Sequence, residues 1–161
     1  MRIVIVEDEA PIREGMGRIL KKIDPEYELA GKASNGKEGL EIIRRTRPDL
    51  VILDIQMPDM DGLTMLEEVR KEQISCKALV LSAYSEFTYA RRAIELGIEN
   101  YLLKPIKIPE LKRALFQIQE SLEKEQSKER ILTLDNIFMG CLTGQLTIDG
   151  QMGKLIEENM S

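Results

Sequence analysis

Polar residues with chemical potential stand at the ends of apolar runs in this chain. Ile3 to Val6 runs into Glu7-Asp8-Glu9, Leu50 to Leu53 into Asp54, Ala78 to Leu81 into Ser82, and Tyr101 to Leu103 into Lys104. Asp54 taken alone reads as an ordinary turn aspartate. Beside the others it becomes one of three carboxylates, with Glu7 and Asp8, near a hydroxyl and an ammonium. Carboxylates held close together repel one another and favour a hard divalent cation bound through oxygen. Mg²⁺ suits such a set, since it takes one or two carboxylates, several waters and a phosphate oxygen. A hydroxyl that donates a hydrogen bond and a lysine that neutralises charge suit a phosphoryl group. A carboxylate nucleophile, a metal, a hydroxyl and a lysine together describe phosphoryl transfer onto Asp54.

That chemistry requires the four run ends to meet. Leu50 to Leu53, bounded by Pro48 and Met57-Pro58, reads as a short strand buried on both faces. Ile3 to Val6 reads as another, followed by a helix with Pro11 in its first turn and Ile12, Met16, Ile19, Leu20 and Ile23 on one face. Asp24-Pro25 stops that helix. Tyr27 to Ala33 is a more polar strand, suited to a sheet edge. Asn35 is placed to cap the next helix, with Glu38 at capping-box spacing and Leu40 and Ile43 inward. Asp61 caps the helix after the central strand, which turns Leu63, Leu66 and Val69 inward. Ser85 is the expected cap of a fourth helix that stops at Gly97, and a fifth begins near Pro109. Five strands alternating with five helices predict an α/β fold, a doubly wound parallel sheet with helices on both faces. In such sheets ligands collect at the carboxyl ends of the strands, where all of the polar residues named above fall.

The totals narrow the function. The chain has 161 residues, 23 Lys plus Arg against 28 Asp plus Glu, and a net charge of −5. That balance argues against binding nucleic acid through a general basic surface. The 43% apolar and 32% charged content fits a soluble globular domain. No apolar run reaches the roughly 18 residues of a membrane helix, and the first strand meets three acids at once, so neither a span nor a signal peptide is expected. Cys76 and Cys141 match no paired spacing, which favours reduced thiols in a cytoplasmic protein. There is no histidine, so a phosphoryl donor using imidazole must be another molecule. Gly31 to Lys37 approaches the phosphate-loop pattern, but Glu38 stands where a Ser or Thr is needed, and helix capping explains it better. A phosphatase with an Asp nucleophile needs a second acid two residues on, where this chain has Gln56. A scaffold indifferent to phosphate would not need the full set of polar residues.

The set Glu7-Asp8, Asp54 with Met57-Pro58 and Asp61-Gly62, Ser82-Ala83 and Lys104-Pro105 resembles the receiver domain of two-component response regulators over residues 1–122. The resemblance implies a flavodoxin-like sheet of strand order 2-1-3-4-5. It implies that Asp54 accepts a phosphoryl group from a sensor histidine kinase. Asp8 would bind Mg²⁺ directly, Glu7 through water, and the backbone carbonyl of Gln56 would complete the protein ligands. Ser82 would bond a phosphoryl oxygen and Lys104 would pair with it. Tyr101 matches the aromatic switch position, and the Lys104–Pro105 bond is expected to be cis. Glu7 and Ser82 stand where Asp and Thr are commoner, and both keep the needed chemistry. The domain would be regulatory, with at most slow self-dephosphorylation.

Ser82 to Phe87, with Tyr89-Ala90 and Ala93-Ile94, resembles the regulators with an AraC-type helix-turn-helix output. Leu111, Leu115, Ile118 and Leu122 recur at helical spacing, then Glu125 and Glu129 interrupt the seam before Leu132. Residues 123–161 are expected to be a helical connector toward an output domain that is not among them, with Leu142, Leu146, Leu155 and Ile156 in short helices. DNA would be bound only through that domain. A homodimer would form through the fourth helix, at Arg91, Arg92 and Glu95, or through the C-terminal helix.

Overall fold

The structure is a computed structural model and describes residues 1–83 and 85–142. Five strands alternate with five helices: β1 (Arg2–Val6), α1 (Ala10–Ile23), β2 (Glu28–Ala33), α2 (Gly36–Thr46), β3 (Leu50–Leu53), α3 (Gly62–Lys71), β4 (Lys77–Ser82), α4 (Phe87–Glu95), β5 (Asn100–Leu103) and α5 (Ile108–Leu142). All strand pairs are parallel, in the order β2-β1-β3-β4-β5. The expected flavodoxin-like winding is therefore present, with the polar β2 at one edge.

Strand alternation divides the core. Val4, Val6, Val51, Leu53, Ala78 and Val80 pack in one cluster with Leu40 and Ile43 of α2, Leu63, Leu66 and Val69 of α3, and Ala93 of α4. Ile3, Ile5, Leu50, Ile52 and Leu79 are buried outside that cluster, as are Met16 and Leu20 of α1 and Leu111, Leu115 and Ile118 of α5. Each fully buried Leu or Ile contributes roughly 1.5–3 kcal/mol of transfer free energy, so both faces of the sheet add to the stability of the fold.

Local signals act as their chemistry dictates, with two differences. Asp61 Oδ1 accepts the Thr64 N–H at 2.7 Å, and Asn35 Oδ1 accepts the Glu38 N–H at 2.9 Å. Glu38 reaches one residue beyond its cap, accepting both the N–H (3.1 Å) and the hydroxyl (2.8 Å) of Ser34. Ser85 is not the cap of α4. Glu86 holds that place in an extended conformation without a side-chain cap bond, which leaves Ser85 one position too early to reach the helix. Gly97 follows α4 with φ 72°, as a residue just past a helix end often does.

The chain divides into two compact units, Met1–Ile118 and the remainder from Gln119. In the second unit α5 continues to Leu142, and residues 123–130 are exposed throughout. The expected C-terminal helical extension is thus present as far as Leu142. The short helices expected around Leu146, Leu155 and Ile156 lie outside the described residues.

Candidate functional site

The site forms where the strands of the first unit end. β1 and β3 are adjacent, with Val6 opposite Leu53, so Glu7 and Asp54 emerge side by side. The Asp54 N–H donates to the Val6 carbonyl at 3.0 Å, and the Glu7 N–H to the Ala33 carbonyl at 3.0 Å, which pins both residues to the sheet. β4 pairs with β5 so that Ser82 lies opposite Leu103, and the Lys104 N–H donates to the Ser82 carbonyl at 2.8 Å. The Lys104–Pro105 bond is cis, as expected.

From this frame Lys104 reaches across the strand ends. Its Nζ lies 2.9 Å from Asp54 Oδ2 and 3.0 Å from Glu7 Oε2. Asp54 Oδ1 accepts the Ile55 N–H at 2.7 Å. Asp8 is exposed, yet one oxygen from each of Glu7, Asp8 and Asp54 lies within 4.8 Å of the others. Glu7 and Asp54 are only 5% and 8% exposed, so the two acids held by Lys104 are nearly dry. Burial, with the charge of Asp54 behind it, pushes the Glu7 carboxyl up to about 7 although Lys104 opposes the shift. For Lys104 burial works against the charge, but hydrogen bonds to Asp54 and Glu7 outweigh it and raise its pKa.

Ser82 is fully buried beside the cluster and hydrogen-bonded to Tyr101. Burial is the main cause that raises the Tyr101 phenol, with Asp54 and Tyr89 adding to it. Glu7, Asp8, Asp54, Ser82, Lys104 and Tyr101 are therefore brought together. Gln56 lies in the exposed loop two residues past Asp54, and its Nε2 donates to the Tyr89 hydroxyl at 2.9 Å.

Two residues that the sequence marked through the resemblance make contacts at the site that it did not suggest. A Cβ on Gly62 would collide with the main-chain carbonyl of Asp54, so only glycine lets α3 start this close to Asp54. The Gly62 N–H also donates to the Ile55 carbonyl at 2.7 Å. Gly62 was legible as the start of α3 but not as a spacer. The contact of Tyr89 with Gln56 had no local signal, since the two are 33 residues apart.

The sequence profile of the family described as response regulator receiver domain matches residues 3–116. The chain belongs to that family. Receivers of this kind are regulatory domains that take a phosphoryl group from sensor kinases and bind Mg²⁺ at an acidic pocket, and Glu7, Asp8 and Asp54 form a group able to hold such an ion. This receiver is 36% identical over 124 residues to the transcriptional regulatory protein YesN of Bacillus subtilis, covering 77% of this chain and 34% of that protein. It is 33% identical over 127 residues to the transcriptional regulatory protein HptR of Staphylococcus aureus, covering 79% and 50%. The chain thus spans a third to a half of the length of these relatives. Among solved structures, the REC domain of AraT, a response regulator from Geobacillus stearothermophilus, is 37% identical with a TM-score of 0.70, covering 78% of this chain and 97% of that one. Among the described residues, no helix is long and apolar enough to cross a membrane.

Proposed function

We propose that Asp54 is the phosphoacceptor of this receiver. The observation that carries the reading is the position of Lys104, bonded at once to Asp54 and Glu7 within a cluster that also holds Asp8. An oxygen of Asp54 attacks phosphorus, the bond from phosphorus to the donor breaks, and the donor leaves with the electron pair. The donor is a sensor histidine kinase, which fits the absence of histidine from this chain.

Glu7, Asp8, Asp54 and the backbone carbonyl of Gln56 would hold Mg²⁺, with Asp8 binding directly and Glu7 through water. The ion would supply charge neutralisation to the developing phosphoryl oxygens. Lys104 pairs with the incoming group. Ser82 has one proton to donate and lone pairs to accept with, so it can bond a phosphoryl oxygen while keeping its bond to Tyr101. Tyr101 thereby follows Ser82 inward and passes the change to α4 and β5. The protein is a regulator and not a turnover enzyme.

The output is transcription. Residues 1–122 act as the receiver and residues 123–161 as a connector toward a DNA-binding domain of AraC type. The coverage of YesN and HptR supports this, because both are transcriptional regulators with further sequence beyond the matched part. The exposed helix beyond Leu122, or the face of α4 with Arg91 and Glu95, would support a homodimer, whereas Arg92 is turned to Thr64 and Glu67 of α3. The protein works in the cytoplasm.

Incubation with Mg²⁺ and acetyl phosphate followed by intact mass measurement tests the reading. One phosphoryl group is expected on the wild type, and none on Asp54→Asn or in EDTA. Equal labelling of Asp54→Asn would overturn it.

A further inference from the structure

We propose that Arg13 is a positioning residue for the acidic loop, holding the main chain at Glu7 and Asp8 so that both carboxylates face Asp54. The inference rests on the reading of Glu7, Asp8 and Asp54 as a cation site.

Consecutive side chains on an extended strand point to opposite sides. Glu7 is buried and Asp8 exposed, yet an oxygen of each comes within 4.8 Å of Asp54. The chain must therefore turn between β1 and α1, and something must hold the turn. The Glu7 N–H is fixed to β2 through the Ala33 carbonyl. The following peptide, between Glu7 and Asp8, is held by Arg13, whose Nη1 donates to the Glu7 carbonyl at 2.8 Å and lies 3.5 Å from the Asp8 carbonyl. The first contact is a charge-assisted hydrogen bond, and the second is at the outer edge of bonding range.

Local preferences do not explain an arginine at this place. α1 begins at Ala10, so Arg13 sits in its first turn, where the helix dipole disfavours a cation. Glu9, the cap of α1, makes no side-chain cap bond. The Arg13 N–H makes the ordinary first bond of the helix, to the Glu9 carbonyl at 2.9 Å, and it is the side chain that reaches back to the loop. Its ion pair with Glu14 is long, at 3.9 Å, and the side chain is only 19% exposed. The guanidinium thus acts on the backbone that carries the acids.

Titration calorimetry of the full chain with MgCl₂ alone tests the role. Arg13→Met removes the guanidinium and keeps the stem, while Arg13→Lys keeps a donor of shorter reach. Loss of a group that orients metal ligands weakens binding roughly 10- to 100-fold, so R13M is expected to bind Mg²⁺ about tenfold more weakly than wild type, with R13K between them. A pure charge effect runs the other way, because removing a cation beside a cation site tightens binding. R13M that binds Mg²⁺ as tightly as wild type, or more tightly, overturns the proposal, as does a lower melting temperature in EDTA with unchanged affinity. Where R13M does not fold, R13K decides: weaker binding supports the role, and unchanged or tighter binding overturns it. Wild type that binds no Mg²⁺, or Asp8→Asn that binds it normally, overturns the cation site itself.

Discussion

The two helices that follow the Asp54 and Ser82 ends of the sheet are held in different ways. α3 is capped by Asp61, bonded through Gly62 to the loop after Asp54, and buries Gly62, Leu63, Met65, Leu66 and Val69. α4 has no side-chain cap bond and buries Ala93 alone, with Phe87 and Ile94 77% and 73% exposed. It is tied down by polar contacts: Arg92 to the Thr64 hydroxyl at 3.1 Å and to Glu67 at 3.0 Å, and Tyr89 to Gln56 at 2.9 Å. Apolar burial cannot be exchanged without loss, whereas a hydrogen bond of about 1 kcal/mol net can be traded for another. The side of the site next to Asp54 is therefore held by apolar burial, and the side next to Ser82 by polar contacts that can be exchanged.

The largest test of that contrast is Gly62→Val. A side chain there must displace the backbone of Asp54, so a loss of about 3 kcal/mol or more is expected in urea unfolding. An effect under 1 kcal/mol would break the comparison on the α3 side. Next comes a matched pair of truncations. Leu66→Ala is expected to cost about 2–5 kcal/mol, and Ile94→Ala less than about 0.5 kcal/mol. A third pair compares the helix starts: Asp61→Ala should cost about 1 kcal/mol, and Glu86→Ala only a few tenths. Smaller still, Arg92→Ala should leave global stability nearly unchanged, as its contacts with α3 are half exposed. It should nonetheless speed amide exchange in α4 while α3 keeps its protection.

The last test concerns pH. The Glu7 carboxyl is raised from 4.5 to about 7 in the folded protein, so the folded state holds a proton that the unfolded chain releases. The contribution of Glu7 to stability is therefore fullest below pH 4.5 and is lost as pH rises toward about 7. Urea midpoints in EDTA between pH 5 and 8 should show this decline, and Glu7→Gln should flatten it. For the same reason Mg²⁺ should bind more tightly at pH 8 than at pH 6, because less proton must be displaced.

This contrast also marks what could be read before the fold was known. The strands, the Asn35 and Asp61 caps and the four polar strand ends are local patterns, since an apolar run and the residue after it are neighbours in sequence. They sufficed to gather Glu7, Asp8, Asp54, Ser82 and Lys104. The misplaced cap at Ser85 shows the limit. α4 buries so little that no core contact fixes its start, and the extended Glu86 shifts it by one residue. Gly62 against Asp54, Tyr89 with Gln56 and Arg13 with Glu7 are equally opaque, because each depends on how close two elements approach. Spacing along the chain does not encode that distance.

Lys104 carries one further consequence. With its acids ionised, the cluster of Glu7, Asp8 and Asp54 holds three negative charges against the single positive charge of Lys104. The pocket thus falls two charges short of electroneutrality, and a divalent ion would supply them. A monovalent ion would leave a deficit and a trivalent one an excess, so the one lysine that spans the floor would match a divalent charge once pH rises past about 7, where Glu7 gives up its proton.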